Sequence, residues 1–326
     1  MKQHYLPRFY LEGFQDPEIP KGQTPYVWLY RKKDREWKKR APHRVATESD
    51  RYSFVDSAGV RHDEIEKYFS RIEGEVATIL REKLAKERVL DDRERGVLAL
   101  FVAAMLERVP GTIREELVLL HGKGRKELAR QYHYLYESDF RGMYEQVVGS
   151  KVPEPDSLTE KDWELLEVTS ERRRLDRRGG FARLLYIQWL LIAVPLATRV
   201  LGEMCWTFIT SRAPYYFISS DNPVVVLDPR LWKSRVGIRH KGVEISVHLS
   251  STIAAVATWS TEGHTGTYRD AFRTKLVSDF NRRVFYFAHE FLVAPKPQFP
   301  GSKVLEDERY YDERWRRLVD EGPRTK

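Results

Sequence analysis

The stretch that most constrains this chain is Tyr215–Leu227, YYFISSDNPVVVL, two β-favouring apolar runs separated by a polar tetrad and a proline. Val224, Val225 and Val226 form a continuous apolar run, the pattern of a strand buried on both faces. Pro223 has no N–H to donate, so it fits only the first position of a strand or an edge. Asn222 precedes proline and is pushed out of the α region. Ser219, Ser220, Asp221 and Asn222 are therefore expected to make a connection at a strand end, with their side chains presented. A site for chemistry is built this way. An ordinary Asx turn, with Asp221 accepting a backbone N–H, is built the same way.

The chain has 326 residues, 41% of them hydrophobic and 12% aromatic, enough to bury one large core or two smaller ones and to exclude wholesale disorder. Its 56 Lys and Arg stand against 48 Asp and Glu, a formal charge of +8, which permits nucleic acid as a partner without requiring it. A single cysteine, Cys205, excludes an intrachain disulfide and a cysteine-rich zinc site, and the chain is expected in the cytoplasm. The start, MKQHYLPRFYLEGF, lacks the apolar region of a signal peptide. The longest apolar stretch, Leu184–Ala197, contains Gln188 and Pro195 and is shorter than the ~18 residues of a membrane span. It reads as a buried core helix that Pro195 kinks or interrupts.

In chain order, residues 1–56 read as turns and short strands. Tyr26–Arg31 and Glu36–Arg40 flank a hairpin loop, and Arg51–Val55 is a further strand. The section carries an excess of cations, which a solvated edge explains as well as a phosphate-binding surface does. From His62 to Arg88, Ile65, Tyr68 or Phe69, Ile72, Val76, Ile79 and Leu84 fall on one helical stripe. Asp91 or Asp92 can cap a second helix through Val97–Leu106, antiparallel to the first because the connection is short. Weaker helices are expected at Thr112–Leu120 and Arg125–Val148. Another opens at Leu158–Asp162 and closes at a group of five arginines, 172–174, 177 and 178. Beyond the core helix the expected strands are Tyr215–Ser219, Pro223–Leu227, Val243–Leu249, Ile253–Trp259, Val284–His289 and Phe291–Ala294. A helix is expected over Tyr268–Asn281, and a docking helix over Glu306–Val319. The fold class is α+β: β and loop over 1–56, helical over 62–205, β-rich over 206–295, and a tail over 303–326.

The opening His4, Tyr5, Pro7, Arg8, Tyr10 and Leu11, HYLPRFYL, resembles the start of a largely microbial family catalogued as domain of unknown function 4238. The resemblance continues in order through Glu66 and Glu73, Arg108 and Pro110, the S-D-N-P of Ser220–Pro223, and Asn281. The chain departs from the family pattern at Glu244–Ser250, where His248 stands, and the resemblance lends that segment no polar role. It implies a single domain over 1–326 and supplies no activity.

If His4, Arg8, Glu73, Arg108, Asp221 and Asn222 meet in space, their chemistry suits hydrolysis of a phosphate-containing substrate such as nucleic acid. His4, Asp221 and Asn222 would be catalytic, Arg8, Arg108 and Ser220 would bind substrate, and Glu73 with Asp221 would hold a divalent cation such as magnesium. Equally, Arg8 or Arg108 can pair with Glu73 to tie the N-terminal segment onto the helices, and His4 can satisfy a buried carbonyl. The alternative function is a non-catalytic module for nucleic acid or protein, using the basic hairpin with Trp28, Trp37 and Tyr52. No phosphate loop, dinucleotide fingerprint, H-E-x-x-H or G-x-S-x-G is present. His121 and His133 read as isolated, and Cys205 as core filling. Oligomeric state is not readable.

Overall fold

The computed structural model describes residues 2–20, 22–55, 61–110, 133, 136–137, 151, 154–161, 180–231, 236–259, 266–271 and 274–305. The N-terminal section holds strands β1 (Lys2–His4), β2 (Val27–Arg31), β3 (Glu36–Arg40), β4 (Thr47–Ser49), β5 (Phe54–Val55) and β6 (Arg61–His62), with a short helix α1 (Arg8–Glu12). Among the described residues three long helices follow: α2 (Glu64–Glu82), α3 (Asp92–Glu107) and α4 (Gly180–Glu203). The C-terminal section holds β7 (Cys205–Thr210), β8 (Ser219–Ser220), β9 (Val224–Leu227), β10 (Glu244–His248), β11 (Ile253–Thr258), β12 (Thr267–Asp270), α5 (Thr274–Phe287) and β13 (Phe291–Ala294). The class is α+β, with strands at both ends of the chain and helices between. No described helix is long and apolar enough to cross a membrane.

The helices form where the apolar period dictates. Ile65, Phe69, Ile72, Val76 and Ile79 line the buried face of α2, whereas Tyr68, one position off the stripe, is 40% exposed. Asp91 caps α3 through a reciprocal box: its carboxylate accepts the Glu94 N–H at 2.8 Å, and the Glu94 carboxylate accepts the Asp91 N–H at 2.9 Å. Leu98, Phe101, Val102 and Met105 are buried as α3 packs between α2 and α4. Each such side chain contributes roughly 1.5–3 kcal/mol. Lys83 meets Glu94 at 3.0 Å near the α2–α3 turn and Arg108 meets Glu73 at 2.8 Å far from it, the order that antiparallel neighbours require.

Two sheets carry the C-terminal section. The larger runs β12-β7-β11-β10-β9, antiparallel except at β12–β7. The smaller runs β3-β2-β13-β8, so that the basic N-terminal hairpin is extended by the last strand. Consecutive strands β8 and β9 therefore lie at the edges of different sheets, and residues 221–223 form the passage from one to the other. Pro223 enters an edge strand, where its missing N–H costs no ladder bond. Val224 packs into the larger core, and Val225 and Leu227 into a second core with Val284, Phe285 and Leu292, as a strand buried on both faces must.

Several expectations are corrected. Val284–His289 is not a strand. Val277, Phe280, Val284, Phe285 and Ala288 recur with helical spacing and are buried as the inner face of α5 and its C-terminal end. The helix expected over Tyr268–Asn281 starts later, because Thr267–Asp270 is captured as strand β12 by parallel pairing to β7. Of the expected Tyr215–Ser219 strand only Ser219 pairs, as the first residue of β8, and α4 runs through Pro195 without a break. Strands β1, β4 and β7 and helix α1 were not anticipated. The expected helix at 112–120, the helix-closing arginines and the tail helix lie outside the described residues, as does the expected helix at 125–148 apart from residues 133 and 136–137, which are helical.

Candidate functional site at the crossing between the sheets

The segment leading into the crossing is held at every residue. Phe217 N–H donates to Ser251 O at 2.8 Å, and Ile218 N–H to Asn281 Oδ1 at 3.1 Å. The Ile218 carbonyl accepts from His248 Nδ1, which fixes that imidazole in the Nδ1–H tautomer. Ser219 and Ser220 pair with Val293 and Leu292 of β13, and Ser219 Oγ meets the Tyr10 hydroxyl at 2.7 Å. Asn281 spends its amide on the Tyr216 and Pro300 carbonyls, so it is a clamp between segments. The consequence is a crossing whose backbone has little freedom.

Asp221 stands at the end of this segment with its carboxylate turned into the junction between α5 and β13. Its two oxygens accept consecutive backbone N–H groups, His289 at 2.9 Å and Glu290 at 2.7 Å, while its own N–H donates to Phe291 O. Lys32, just past β2, caps the same helix end by donating to the Phe285 and Ala288 carbonyls at 2.8 and 2.7 Å. Burial pushes the Asp221 carboxyl up to about 6 despite those N–H groups and Lys32. Burial likewise brings the Lys32 ammonium down to about 8, against the opposing charge of Asp221. Burial, and then the charge of Asp221, raises the Tyr5 hydroxyl well above its ordinary range, which places Tyr5 within the electrostatic reach of the same carboxylate.

Ser220 and Asn222 complete the crossing. Ser220 Oγ donates to Asn222 O at 2.8 Å and accepts the Asn222 N–H at 3.1 Å, a local turn that orients the asparagine. Asn222 Nδ2 donates to Phe287 O at 3.1 Å, which determines which end of the amide is nitrogen, and lies 3.4 Å from His289 Nε2. Asn222 Oδ1 then faces away from that carbonyl and is buried with no hydrogen-bond partner among the described residues, on a residue only 7% exposed. His289 is half-buried and Glu290 exposed, so the crossing lies just beneath the surface.

The other expected site residues gather elsewhere. Arg108, 1% exposed, donates to Glu73 Oε1 at 2.8 Å and lies over the Phe69 ring, and its carbonyl accepts from buried Arg51 at 2.6 Å. Arg51 pairs with Glu48 and lies over the rings of Tyr5 and Tyr52. Burial and then the charge of Glu73 raise the Glu66 carboxyl. His4 borders this cluster. Burial lowers its pKa, a hydrogen bond to the His43 backbone opposes that, and the charges of Arg8, His43 and Arg108 lower it further. Its Nε2 is buried and unpartnered. Arg8 is on the surface, 65% exposed, paired with Glu12 at 2.7 Å. The fold thus brings Ser220, Asp221 and Asn222 together, puts His4, Arg108 and Glu73 in a second group, and leaves Arg8 at the rim. Adjacent Tyr5 and His4 join the two groups along the chain.

Lys32, His289, Glu290 and Arg51 are members that the sequence did not single out, and Tyr5 and His248 were named there without a role in a site. Lys32 is one of several hairpin cations, and His289 and Glu290 sit at the edge of the run expected as a strand. His248 does have a polar role, as the partner of Ile218; burial brings it down to about 4, so it is neutral. Of the aromatics expected to form a platform with the hairpin, Tyr52 is internal, 1% exposed, whereas Trp28 and Trp37 are half-buried: Trp28 donates to Asp16 at 3.2 Å, and Trp37 packs on Tyr30 and Phe299. Among the described residues no group of three or more His, Cys, Asp or Glu is placed to hold a metal ion, and the Glu73 carboxylate is engaged by Arg108.

No curated protein and no solved structure matches the chain. The family model described as protein of unknown function (DUF4238) matches residues 2–297, which take in the HYLPR opening, the Glu73–Arg108 pair, the crossing and Asn281. The chain therefore belongs to the DUF4238 family.

Proposed function

We propose that the chain is hydrolase-like and that the crossing activates a water molecule for attack on a phosphate-containing substrate, with nucleic acid as the leading class. The observation that carries this reading is Asn222 Oδ1, a buried acceptor with no donor among the described residues, on the residue that follows the buried Asp221. Such an atom costs about 1–3 kcal/mol unless a bound molecule supplies the proton. A water satisfying Asn222 Oδ1 would present its second proton toward Asp221, whose pKa of about 6 suits a general base at neutral pH. His289, half-buried at the open side, is the proton carrier in this arrangement, in place of His4. Lys32 supplies the positive charge expected of Arg8.

A second reading is favoured by the two short bonds from His289 and Glu290 to Asp221. In it the carboxylate only locks the α5–β13 turn onto the crossing. One experiment separates the readings: assay on single-stranded and duplex DNA, on RNA and on a simple phosphomonoester, with magnesium or manganese, beside Asp221→Asn and Asn222→Ala. The catalytic reading expects a ~10²- to 10⁴-fold loss in rate for Asp221→Asn with the fold kept. Absence of turnover by the parent chain on every substrate, with both variants altered only in stability, would leave the lock.

A further inference from the structure

We propose a second site, at the opposite end of β9 from Asp221, that binds a nucleotide unit by its phosphate and its base. A groove of about 570 Å³ is lined by Arg199, Val200, Glu203, Arg239, Lys241 and Trp259. The sheet register places it: Leu227, Glu244, Thr258 and Cys205 lie side by side at this end, and Trp259 and Glu203 adjoin them in the chain. The volume falls in the range of small-molecule pockets. Its charge is three cations against one carboxylate, and Arg199 Nε stands 3.5 Å from Glu203. Arg239 and Lys241 have no ion pair among the described residues and remain open to an anion.

These two cations are presented by a loop that is built around a buried acid. Asp228, its side chain fully buried, accepts from the Arg230 backbone N–H at 2.9 Å and from the Arg230 side chain at 3.0 and 2.7 Å. The Arg230 guanidinium holds the Asp228 carboxyl down to about 2. His240, between Arg239 and Lys241 in sequence, is held at the same place: its Nδ1 accepts the Gly242 N–H at 3.2 Å and lies 3.5 Å from Asp228 Oδ2. Gly242 has no room for a Cβ, which would collide with Arg230 and Asp228. Across the groove, Trp259 Nε1 donates to Ile238 O at 3.1 Å, which holds the indole against the same loop. A fixed indole beside two uncommitted cations fits a ligand that is aromatic at one end and anionic at the other. A nucleotide has that chemistry, whether free or as one unit of a single strand.

The test is fluorescence anisotropy with two probes, a labelled adenine mononucleotide and a labelled oligothymidine, for the full chain, Arg239→Ala/Lys241→Ala and Trp259→Leu. Each variant is first shown to melt as the parent does. The double variant is expected to weaken binding at least ~10-fold and to flatten the salt dependence, by about 0.7 in log–log slope for each phosphate it no longer neutralises. Trp259→Leu is expected to weaken it by about 5- to 150-fold. Preference for one probe distinguishes the free nucleotide from the strand. Binding of neither probe at low salt, or binding that both variants leave intact, overturns the proposal. So does binding that dextran sulfate competes fully while Trp259→Leu changes nothing, since that is charge without base recognition. Binding is read here without turnover, so failure of the crossing as a catalytic centre leaves this result readable.

Discussion

Tyr10 and Ser219, 209 residues apart, share a buried hydrogen bond of 2.7 Å between their hydroxyl oxygens. It joins the helix that follows the HYLPR opening to the strand that leads into the crossing, and it is the direct tie between the two most distinctive sequence motifs. Tyr10→Phe keeps the ring among Phe14 and Phe101 and removes only the oxygen. It should lower unfolding free energy by about 1–3 kcal/mol, because Ser219 Oγ is left buried without its partner. Urea denaturation with an unchanged m-value would establish that scale, and a loss below ~0.5 kcal/mol would mean the tie contributes nothing.

Glu73→Gln tests whether the second polar group is a brace. Arg108 is almost wholly buried, and neutralising its partner leaves a guanidinium short of compensation, a change that costs roughly 3–5 kcal/mol when a buried pair is broken. Glu73 itself is 23% exposed, so the lower end of that range is expected. Arg108→Met with Glu73→Gln should recover much of the loss, since removing both charges also removes the burden of burying them. A double-mutant cycle in denaturant measures the coupling, and additive losses would mean that the pair is not a unit.

These two relationships show what was legible in the chain and what was not. The α2 stripe, the cap of α3 at Asp91 and the Pro223 strand start are local signals. Each is decided by residues within a few positions, and each formed as expected. The polar tetrad was recognisable as a connection between apolar runs. Its partners were not recognisable, because Lys32 and His289 reach it only through the pairing of β2 with β13 and of β13 with β8. The run from Val284 to Ala288 misled because a buried helix end and a buried strand are equally apolar over five residues, and only the longer spacing back to Val277 separates them. His4 and Arg8 are four residues apart in sequence, yet α1 starts at Arg8 and turns its side chain outward, so their chemistry is divided between interior and rim.

Asp221 should leave a signature in the pH dependence of stability. Its folded pKa, about 6, lies above the ordinary carboxylate value, so between roughly pH 4 and 6 the folded state binds more protons than the unfolded state. Stability from this group is fully present below that window and is lost as pH rises through it. Lys32 works in the other direction at higher pH: its folded pKa, about 8, lies below the ordinary value, so its contribution grows as pH rises from about 8 toward 10.5. Both effects arise because burial disfavours charge. Urea midpoints across pH 4–10 for the parent and Asp221→Asn would isolate the acid limb, which should vanish in the variant. A limb that persists in Asp221→Asn would assign it to another group.

Gly242→Ala tests the architecture of the groove without touching any residue that lines it. A methyl at this position runs into the Arg230 guanidinium and the Asp228 carboxylate, which are held together by two hydrogen bonds and cannot retreat independently. Either the pair opens, exposing a carboxylate whose side chain is fully buried, or the loop shifts and carries Arg239 and Lys241 with it. Overpacking of this kind costs about 1–3 kcal/mol, so a lowered melting temperature is expected whichever path is taken. Nucleotide affinity distinguishes the two. A shifted loop moves both cations relative to Trp259 and should weaken binding of the labelled mononucleotide several-fold at a temperature where the variant is fully folded. An opened pair that leaves the loop in place would preserve affinity, and would show that the buried acid stabilises the loop without positioning its cations.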